Sequence, residues 1–324
     1  MGKDTKNSNK VSSNQTTNTT TTNNNNDDDA TTNRPRNYYI TDATSPYTFT
    51  YNRYGQQKSI VVHQTPNEET WPGGALWDIG VLMAKLLVQI MDPTTKSRLG
   101  SNIMGSWKEK RILELGCGVG LTGLVAAAMG ARVTVLTDLT EVIHKVTIPN
   151  VEMNTVTSGS INNKKSVVAI PLCWGNEEQE LQCATLLDTL APPLLPKKRQ
   201  QHTKKKKKKS QQLEQQKEEP PQTRQGIPDV VLIGDVAYQH KPGAPSHFDI
   251  LISTTLKFAD EHTIVMFGTR MRMPASADLL DLFKQHFDEV VQPPIEAHEI
   301  DPKHFSCGKK HNITVHFFKK RITK

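Results

Sequence analysis

The stretch Glu114-Leu115-Gly116-Cys117-Gly118-Val119-Gly120-Leu121-Thr122-Gly123 decides the fold of this chain. It begins at the end of an apolar run, residues 111–115, which predicts a strand, and leads into a run of small residues, 121–129, which predicts a helix. A glycine-rich turn from strand to helix is where an open α/β sheet binds a nucleotide-like ligand. Glycine lets the backbone approach such a ligand because it has no Cβ, and the free N–H groups at the helix N-terminus point towards it.

Short apolar strands and helical segments alternate along the rest of the chain. An apolar–polar alternation interrupted by Gly55 predicts a β-hairpin over residues 47–64. Further strands are predicted at residues 133–137, 167–172, 229–233, 263–267, 289–292 and 312–318, and helices at 75–91, 141–154 (broken near Pro149), 247–258 and 277–287. Apolar strands separated by helices predict an α/β fold whose mainly parallel sheet is covered on both faces. No helix is predicted between the last two strands, so an antiparallel edge pair is expected there.

Two segments of biased composition are expected to stay outside this fold. Residues 1–37 are dominated by Asn, Thr, Asp and Ser, and they cannot bury enough apolar surface to offset the entropy of ordering, which predicts a disordered tail. Residues 197–225 contain the run Lys204 to Lys209 and are predicted to be a disordered insertion in a domain spanning 38–324. Ten basic and three acidic residues at 197–219 account for the whole formal net charge of +7, so the folded part is near neutral.

Several classes of protein are disfavoured by composition and spacing. The near-neutral domain gives no case for a phosphate-binding cleft, and the lysine run is expected to be a solvated tether, with a nuclear import signal or a polyanion contact as alternatives. The four cysteines contain no C-x-x-C pair and the histidines show no ligand spacing, so neither a disulfide framework nor a metal site is predicted. No apolar run suits a membrane span, which predicts a cytoplasmic protein that is also nuclear if the lysine run is an import signal. Nothing in the sequence indicates the oligomeric state.

Two cofactors are compatible with the glycine-rich turn. Gly118-x-Gly120-x-x-Gly123 satisfies the dinucleotide pattern, in which the turn binds a pyrophosphate. Glu114 argues against that ligand, because a carboxylate beside the turn repels a pyrophosphate but suits the positive aminoalkyl end of S-adenosylmethionine. Asp138, at the end of the next predicted strand, can accept hydrogen bonds from the ribose hydroxyls of either cofactor. S-adenosyl-L-methionine is therefore favoured, and an NAD-type oxidoreductase is the alternative.

A series of further motifs gives the chain a family resemblance. In chain order they are Trp77-Asp78, residues 114–120, Asp138, Asn150 with Asn154, Leu172-Cys173-Trp174-Gly175 and Asp235-Val236-Ala237-Tyr238. From about residue 71 to residue 320, without the lysine-rich insertion, the chain resembles the seven-strand (class I) protein-lysine methyltransferases of methyltransferase family 16, in the branch that modifies chaperones and elongation factors. The resemblance implies a Rossmann-like seven-stranded sheet, mainly parallel with an antiparallel edge strand, in the order 3-2-1-4-5-7-6. It also implies that the hairpin and the first helix cap the cofactor pocket.

The same resemblance implies roles for the cofactor residues. Trp77 would lie against the methionine end of the methyl donor, Asp138 would hold the ribose, and Trp174 would flank the adenine. The other implied contacts are Glu114, Gly116, Cys117, Gly118 and Gly234. Gly234 departs from the family pattern, which often has Ala at that place. For Trp77 and Trp174 the alternative is ordinary core packing.

The implied reaction is transfer of a methyl group to a lysine of a protein substrate. Asp235 and Tyr238 would orient the amine through a carboxylate hydrogen bond and an aromatic wall; the alternative is a helix N-cap for Asp235 and rim packing for Tyr238. Arg270 and Arg272 are expected to form salt bridges or to contact an acidic substrate. A small amine, a protein histidine and a nucleic acid are alternative acceptors, although Asp-x-x-Tyr differs from the Asn/Asp-Pro-Pro-Tyr motif usual for bases. A non-catalytic scaffold is the remaining alternative, against which the presence of Glu114, Asp138 and Asp235 argues.

Overall fold

The computed structural model describes residues 42–91, 110–157, 161, 166–192, 224–237, 247–271, 274–305 and 312–322. The predicted tail at 1–37, Tyr238, Arg272 and the predicted insertion up to residue 223 lie outside these residues. No helix among the described residues is long and apolar enough to cross a bilayer.

The N-terminal hairpin forms as the alternation predicts. Strands β1 (Tyr47–Arg53) and β2 (Gln56–Val62) pair antiparallel, and their two-residue turn has positive φ at both Tyr54 and Gly55. That geometry matches the right-handed twist of the two strands. Phe49 and Tyr51 of β1 are buried, so one face of the hairpin packs on the domain.

The central sheet has five parallel strands, β3 (Arg111–Leu115), β4 (Val133–Asp138), β5 (Val167–Pro171), β6 (Val230–Gly234) and β7 (Ile264–Arg270). Strand β10 (Ile313–Lys320) runs antiparallel beside β7, and the short strands β8 (Phe287–Glu289) and β9 (Ile295–Glu296) both pair with β10. The order is β5-β4-β3-β6-β7-β10-β8. With β9 set aside, this is the expected 3-2-1-4-5-7-6, so the predicted fold class is confirmed.

Helices cover both faces of the sheet. Helices α1 (Asp78–Met91) and α2 (Leu121–Ala128) pack with the hairpin on one face, whereas α5 (Glu177–Leu190), α6 (Phe248–Lys257) and α7 (Pro274–His286) cover the other. Successive strand residues alternate between the two cores, as Ile112 and Leu113 do. Because both faces are buried, the parallel strands read as continuous apolar runs.

The helix predicted at 141–154 is not broken at Pro149. A helical run instead continues from α3 (Thr140–Val142) through a π-helical turn (Ile143–Thr147) into α4 (Ile148–Glu152) and a second π-helical turn (Met153–Thr157). Pro149 lies in the first turn of α4, directly after the wider π-helical turn. A proline is tolerated there because the N–H that it lacks is not needed by an α-helical bond.

Two other boundaries differ from the sequence prediction. Helix α5 was not predicted, although Asn176 caps it by accepting from the Gln179 N–H (3.1 Å) and Cys183 and Leu187 recur at helical spacing on its buried side. The strand predicted at 289–292 is β8, which ends at Glu289, and the prolines at 293 and 294 have no N–H to extend the ladder. Between β8 and β10 lies a short helix, α8 (Ala297–Ile300), which was also not predicted.

Two buried asparagines attach the hairpin to the domain. The Asn150 side chain accepts from the His63 N–H (2.8 Å) and donates to the His63 carbonyl (3.0 Å). Asn154 makes the same pair of bonds with the N–H (3.1 Å) and carbonyl (2.7 Å) of Val61. The two side chains thus satisfy the outer edge of the hairpin as a third strand would. Asn150 also donates to the Val119 carbonyl (3.0 Å), which links the hairpin to the glycine-rich turn.

After residue 192 the described residues begin again at Arg224, one residue before the predicted end of the insertion. Arg224 forms ion pairs with Asp229 (2.7 Å) and Asp260 (2.5 Å), which directly precede β6 and the loop into β7. The Gly226 N–H donates to the Asp188 carboxylate near the end of α5 (2.8 Å). These contacts place both attachment points of the insertion at the amino-terminal edge of the sheet.

Candidate active site

A cavity of about 410 Å³ opens at the carboxyl-terminal edge of the sheet. Its walls come from the loops after β3, β4, β5 and β6 and from residues 65–77, called the strap below. All eight cofactor residues predicted from the sequence line it: Trp77, Glu114, Gly116, Cys117, Gly118, Asp138, Trp174 and Gly234. Asp235 lines the same cavity. Residues far apart in sequence therefore meet at the switch point where an α/β sheet binds its ligand.

The glycine-rich turn needs glycine for conformation and for space. Gly116, Gly118 and Gly120 have φ of 69°, 53° and 81°, in the left-handed region that favours glycine. A Cβ on Gly118 would come within 2.9 Å of the Gly73 carbonyl oxygen in the strap. A Cβ on Gly116 would lie 3.4 Å from the Trp174 ring and narrow the cavity. The turn forms a cradle that suits a ligand in close contact with backbone.

Glu114 is buried beneath this cradle, only 5% exposed. Its Oε2 accepts a hydrogen bond from the Gly123 N–H in the first turn of α2 (2.9 Å). Burial raises the pKa of Glu114 to about 8, against the smaller opposing effect of that hydrogen bond. A cation in the cavity would stabilise the carboxylate form.

Asp138 ends β4 at the cavity wall. Its two oxygens accept from the Gly118 N–H (2.8 Å) and the Leu139 N–H (2.7 Å), which fixes the carboxylate beside the cradle. Burial raises the pKa of Asp138. Each oxygen has a second lone pair that can accept from a ribose hydroxyl. Cys117 also lines the cavity and is buried. Burial raises the pKa of its thiol well above the usual value, so the thiol is not expected to act as a nucleophile.

Three tryptophans give the cavity an aromatic lining. Trp77 Nε1 donates to the Pro72 carbonyl (3.2 Å), and its ring meets Trp71 edge to face with centroids 5.5 Å apart. Trp174 lies on the opposite side, after β5. Trp71, Glu69 and His247 also line the cavity, and none of the three was predicted as a site residue from the sequence. No local signal marks these three residues, since the strap and α6 approach the cavity only in the folded chain.

Position 234 has little room for a side chain because helix α1 crosses directly above it. A Cβ at Gly234 would lie 3.1 Å from Met83 Sδ, and its neighbour in the sheet, Gly268, would meet the same atom at 2.6 Å. Both glycines thus seat α1 on the ends of β6 and β7. Gly234 lines the cavity from this seat.

Asp235 has an unusual backbone for a residue other than glycine. Its φ is 54°, and its N–H donates to the Gly268 carbonyl (2.9 Å). Residues held in this left-handed region outside glycine are often found at functional sites. The N-cap alternative is wrong, because Val236 and Ala237 are not helical and the next described helix, α6, begins at Phe248. Its proposed partner Tyr238 lies outside the described residues.

Arg270 forms a salt bridge rather than reaching the cavity. Its Nη1 lies 3.4 Å from Oδ2 of Asp78, the first residue of α1, and Asp78 is 2% exposed. Of the two alternatives weighed for Arg270, the structure supports the salt bridge.

Most of the ionisable residues that line the cavity are acidic. Four acidic residues line it, Glu69, Glu114, Asp138 and Asp235, together with His247, and no Lys or Arg is found among the described lining residues. Lys145 forms an ion pair with Glu69 from outside the lining. Within the described residues, no group of three or more His, Cys, Asp and Glu side chains could hold a metal ion. The cavity favours a positively charged ligand.

Residues 56–190 match the family model described as lysine methyltransferase. The matched segment covers less than half of the chain but contains the glycine-rich cradle, Asp138 and Trp174. It supports the resemblance to methyltransferase family 16, and it does not distinguish the branch. Because that family uses S-adenosylmethionine, the match also confirms the predicted cofactor. No curated protein sequence matches the chain.

Solved structures similar to this chain include several methyltransferases. A Streptococcus mutans protein assigned as a SAM-dependent methyltransferase aligns with a TM-score of 0.44 and 11% identity, over 85% of this chain and 56% of its own. The T. thermophilus 16S rRNA N2 G1207 methyltransferase, in complex with AdoMet and guanosine, aligns at 0.41 and 13%, over 85% and 51%. Ribosomal protein L11 methylase from Lactobacillus delbrueckii subsp. bulgaricus aligns at 0.36 and 10%, over 80% and 81%. The chain thus spans about half the length of the first two, and likeness at this level identifies no substrate.

Proposed function

We propose that this chain is a methyltransferase that transfers a methyl group from S-adenosylmethionine to a lysine side chain of another protein. The observation that carries the proposal is the cavity lining, whose described residues include four acidic side chains and three tryptophans but no Lys or Arg. A nucleic-acid acceptor would bring phosphates to this opening, where carboxylates repel them. An ammonium group suits the same lining through charge attraction and cation–π contact.

The donor residues are proposed as follows. S-adenosylmethionine supplies an electrophilic methyl group on a sulfonium. The donor would lie against the backbone of the cradle at Gly116 and Gly118. Asp138 would accept hydrogen bonds from its ribose hydroxyls, and Trp174 would flank its adenine. Glu114 would balance the positive charge at the methionine end, against which Trp77 would lie. The positive-φ cradle and the carboxylate fixed at its rim are the features that fit this ligand.

Asp235 and Tyr238 are proposed for the acceptor side. A lysine has a pKa near 10.4, so presenting it as a neutral amine at pH 7 costs roughly 4–5 kcal/mol. A cavity that excludes water and already holds a positive donor lowers this cost. The backbone N–H of Asp235 donates to the Gly268 carbonyl, which fixes the main chain at this residue, and the Asp235 carboxylate would orient the amine towards the methyl group.

Labelled-methyl transfer into a cell lysate, followed by mass spectrometry of the labelled material, tests the proposal. We expect the label to survive nuclease, to be lost with protease, and to appear as methyl-lysine after acid hydrolysis. The Asp235→Asn variant should transfer little label while binding S-adenosylhomocysteine normally. Label in RNA, in free small amines or in methyl-histidine would contradict the lysine assignment. The chaperone and elongation-factor type of substrate, suggested by the motif resemblance, is tested by the identity of the labelled protein.

A binding measurement separates the donor from the dinucleotide alternative. S-adenosylhomocysteine at one hundred times its dissociation constant should stabilise the protein by about 2.7 kcal/mol. NADH should leave the melting temperature unchanged. Stabilisation by NADH alone would overturn the methyltransferase proposal.

A further inference from the structure

We infer that Arg270 is a positioning residue, which holds Trp77 against the donor through its ion pair with Asp78. The inference rests on the proposed function, because it concerns how Trp77 is held in the same cavity. Arg270 does not line the cavity and is therefore not expected to contact donor or acceptor. Its effect would pass through helix α1.

The first step is the position of Asp78 in the chain. Asp78 begins α1 directly after Trp77, whose ring lines the cavity. A carboxylate in the first turn is also favourable for the helix dipole. Whatever fixes Asp78 therefore fixes the backbone that carries the Trp77 ring.

The second step is the close packing of α1 on the sheet. A Cβ on Gly268 would come within 2.7 Å of Ile79 and 2.6 Å of Met83, so the first turns of α1 lie directly on β7. Arg270 follows two residues later on the same strand and pairs with Asp78 at 3.4 Å. The glycines set the height of α1 above the sheet, and the ion pair sets where along β7 the helix begins.

The third step joins this helix to the acceptor side. The Gly268 carbonyl accepts from the Asp235 N–H (2.9 Å), so the last three residues of β7 contact both Asp235 and α1. Trp77 and Asp235 are 158 positions apart in the sequence, and β7 contacts the segments that carry them both. The Asp78–Arg270 pair would thereby keep Trp77, on the donor side of the cavity, at a fixed position relative to Asp235 on the acceptor side.

The variants Arg270→Gln and Asp78→Asn test the inference. We expect each to weaken S-adenosylhomocysteine binding by about tenfold, since each change removes the buried ion pair that would hold the start of α1 and Trp77 in place. The quenching of tryptophan fluorescence by S-adenosylhomocysteine should fall in parallel, because Trp77 no longer meets the ligand. Arg270→Lys should restore binding to within about twofold of wild type, since the charge is retained.

The ion pair between Lys85 and Asp301 provides a matched control. It also ties α1 to a neighbouring element, beside α8, but lies away from the cavity. Lys85→Met should lower the melting temperature and leave S-adenosylhomocysteine affinity unchanged. Equal loss of affinity in Lys85→Met and Arg270→Gln would reduce Arg270 to general stabilisation and overturn the inference.

A double variant keeps the test decisive if a single change prevents folding. Asp78→Asn with Arg270→Gln removes both charges of the pair together, so it should fold and should bind no more weakly than either single variant. Wild-type affinity in this folded double variant would also overturn the inference. If the wild-type protein itself does not bind S-adenosylhomocysteine, the proposed function fails instead, which distinguishes the two results.

Discussion

At the scale of single residues, the site depends on carboxylates buried beside backbone N–H groups. Glu114 accepts from the Gly123 N–H and Asp138 from the Gly118 N–H, so each acid is tied to the glycine-rich turn. Both residues are predicted from the sequence, Glu114 because a carboxylate beside the turn suits the positive end of S-adenosylmethionine and Asp138 because an acid at a strand end has little use in an apolar core. Their protonation could not be read from the sequence, since it depends on burial.

The affinity for S-adenosylmethionine should rise with pH. Burial raises the pKa of Glu114 to about 8, so the carboxyl is mostly protonated at pH 7, and a bound cation would favour proton release. Affinity should therefore increase by about tenfold or more from pH 6 to pH 8 and level off above that. Titration calorimetry at several pH values measures this slope. A pH-independent affinity would show that the cation does not meet Glu114.

The variant Glu114→Gln separates binding from stability. In the folded protein the carboxyl keeps a proton that the unfolded chain loses above pH 4.5, so its contribution to stability falls as the pH rises towards 8. A glutamine oxygen can still accept from Gly123 without ionising. We expect Glu114→Gln to raise the melting temperature of the ligand-free protein at pH 9, to weaken donor binding and to flatten its pH dependence. A lower melting temperature at pH 9 would contradict the sign of this shift.

Replacing Asp138 should weaken donor binding. Asp138→Ala is expected to cost about 1.5–3 kcal/mol of cofactor affinity, the range for hydrogen bonds to a charged group. Glu141→Ala is a control, because Glu141 is an exposed acid three residues away that does not line the cavity. Calorimetry with S-adenosylhomocysteine measures both. Unchanged affinity in Asp138→Ala would remove this residue from the donor site.

At the scale of elements, the hairpin is held by side chains rather than by a continuous sheet. Asn150 and Asn154 lie one turn apart on the helical run 140–157 and bond alternate residues of the strand edge, His63 and Val61. Both asparagines were part of the motif series that carries the family resemblance, but no role was predicted for them. A side chain that replaces a strand partner leaves no periodic pattern, so only the folded chain reveals it.

Replacing Asn150 and replacing Asn154 should have different effects on donor affinity. Asn154→Ala strips the bonds to Val61 and should destabilise the fold by about 1–3 kcal/mol without changing donor affinity. Asn150→Ala should cost a similar amount and also weaken donor binding, because Asn150 bonds the Val119 carbonyl in the glycine-rich turn. Urea unfolding and calorimetry measure the two effects. The exposed Asn52 on the same hairpin is the control, and Asn52→Ala should change stability by less than about 0.5 kcal/mol. Equal donor affinity in both buried variants would contradict this division.

At the scale of the whole molecule, the two edges of the sheet have different tasks. The cavity lies at the carboxyl-terminal edge, whereas the described residues that flank the predicted insertion lie at the amino-terminal edge. Five-residue strands separate these edges by about 16 Å. Arg224 closes the insertion with ion pairs to Asp229 and Asp260. The segment that carries the excess positive charge is thus attached away from the cavity.

Deleting residues 197–223 should leave catalysis intact. Donor affinity and turnover on a minimal substrate are expected to stay within about twofold, because the attachment points are remote from the cavity. Extending the deletion by one residue to include Arg224 should lower the melting temperature by several degrees, since Asp229 and Asp260 lose their partner. Loss of donor binding in a folded 197–223 deletion would contradict the separation of the two edges.

From the sequence, apolar periodicity predicts an α/β sheet, and a glycine-rich turn directly after a strand, followed by an acid at the end of the next strand, predicts the edge of the sheet at which the cavity opens. The strand order and most of the proposed cofactor residues were expected from the resemblance to methyltransferase family 16 rather than from local signals. Only the tertiary structure decided that Trp71 and Glu69 join the cavity wall and that Asp78 pairs with Arg270, 192 residues away. Such contacts arise from the packing of α1 and the strap across the sheet, and packing between distant segments has no signature in neighbouring residues.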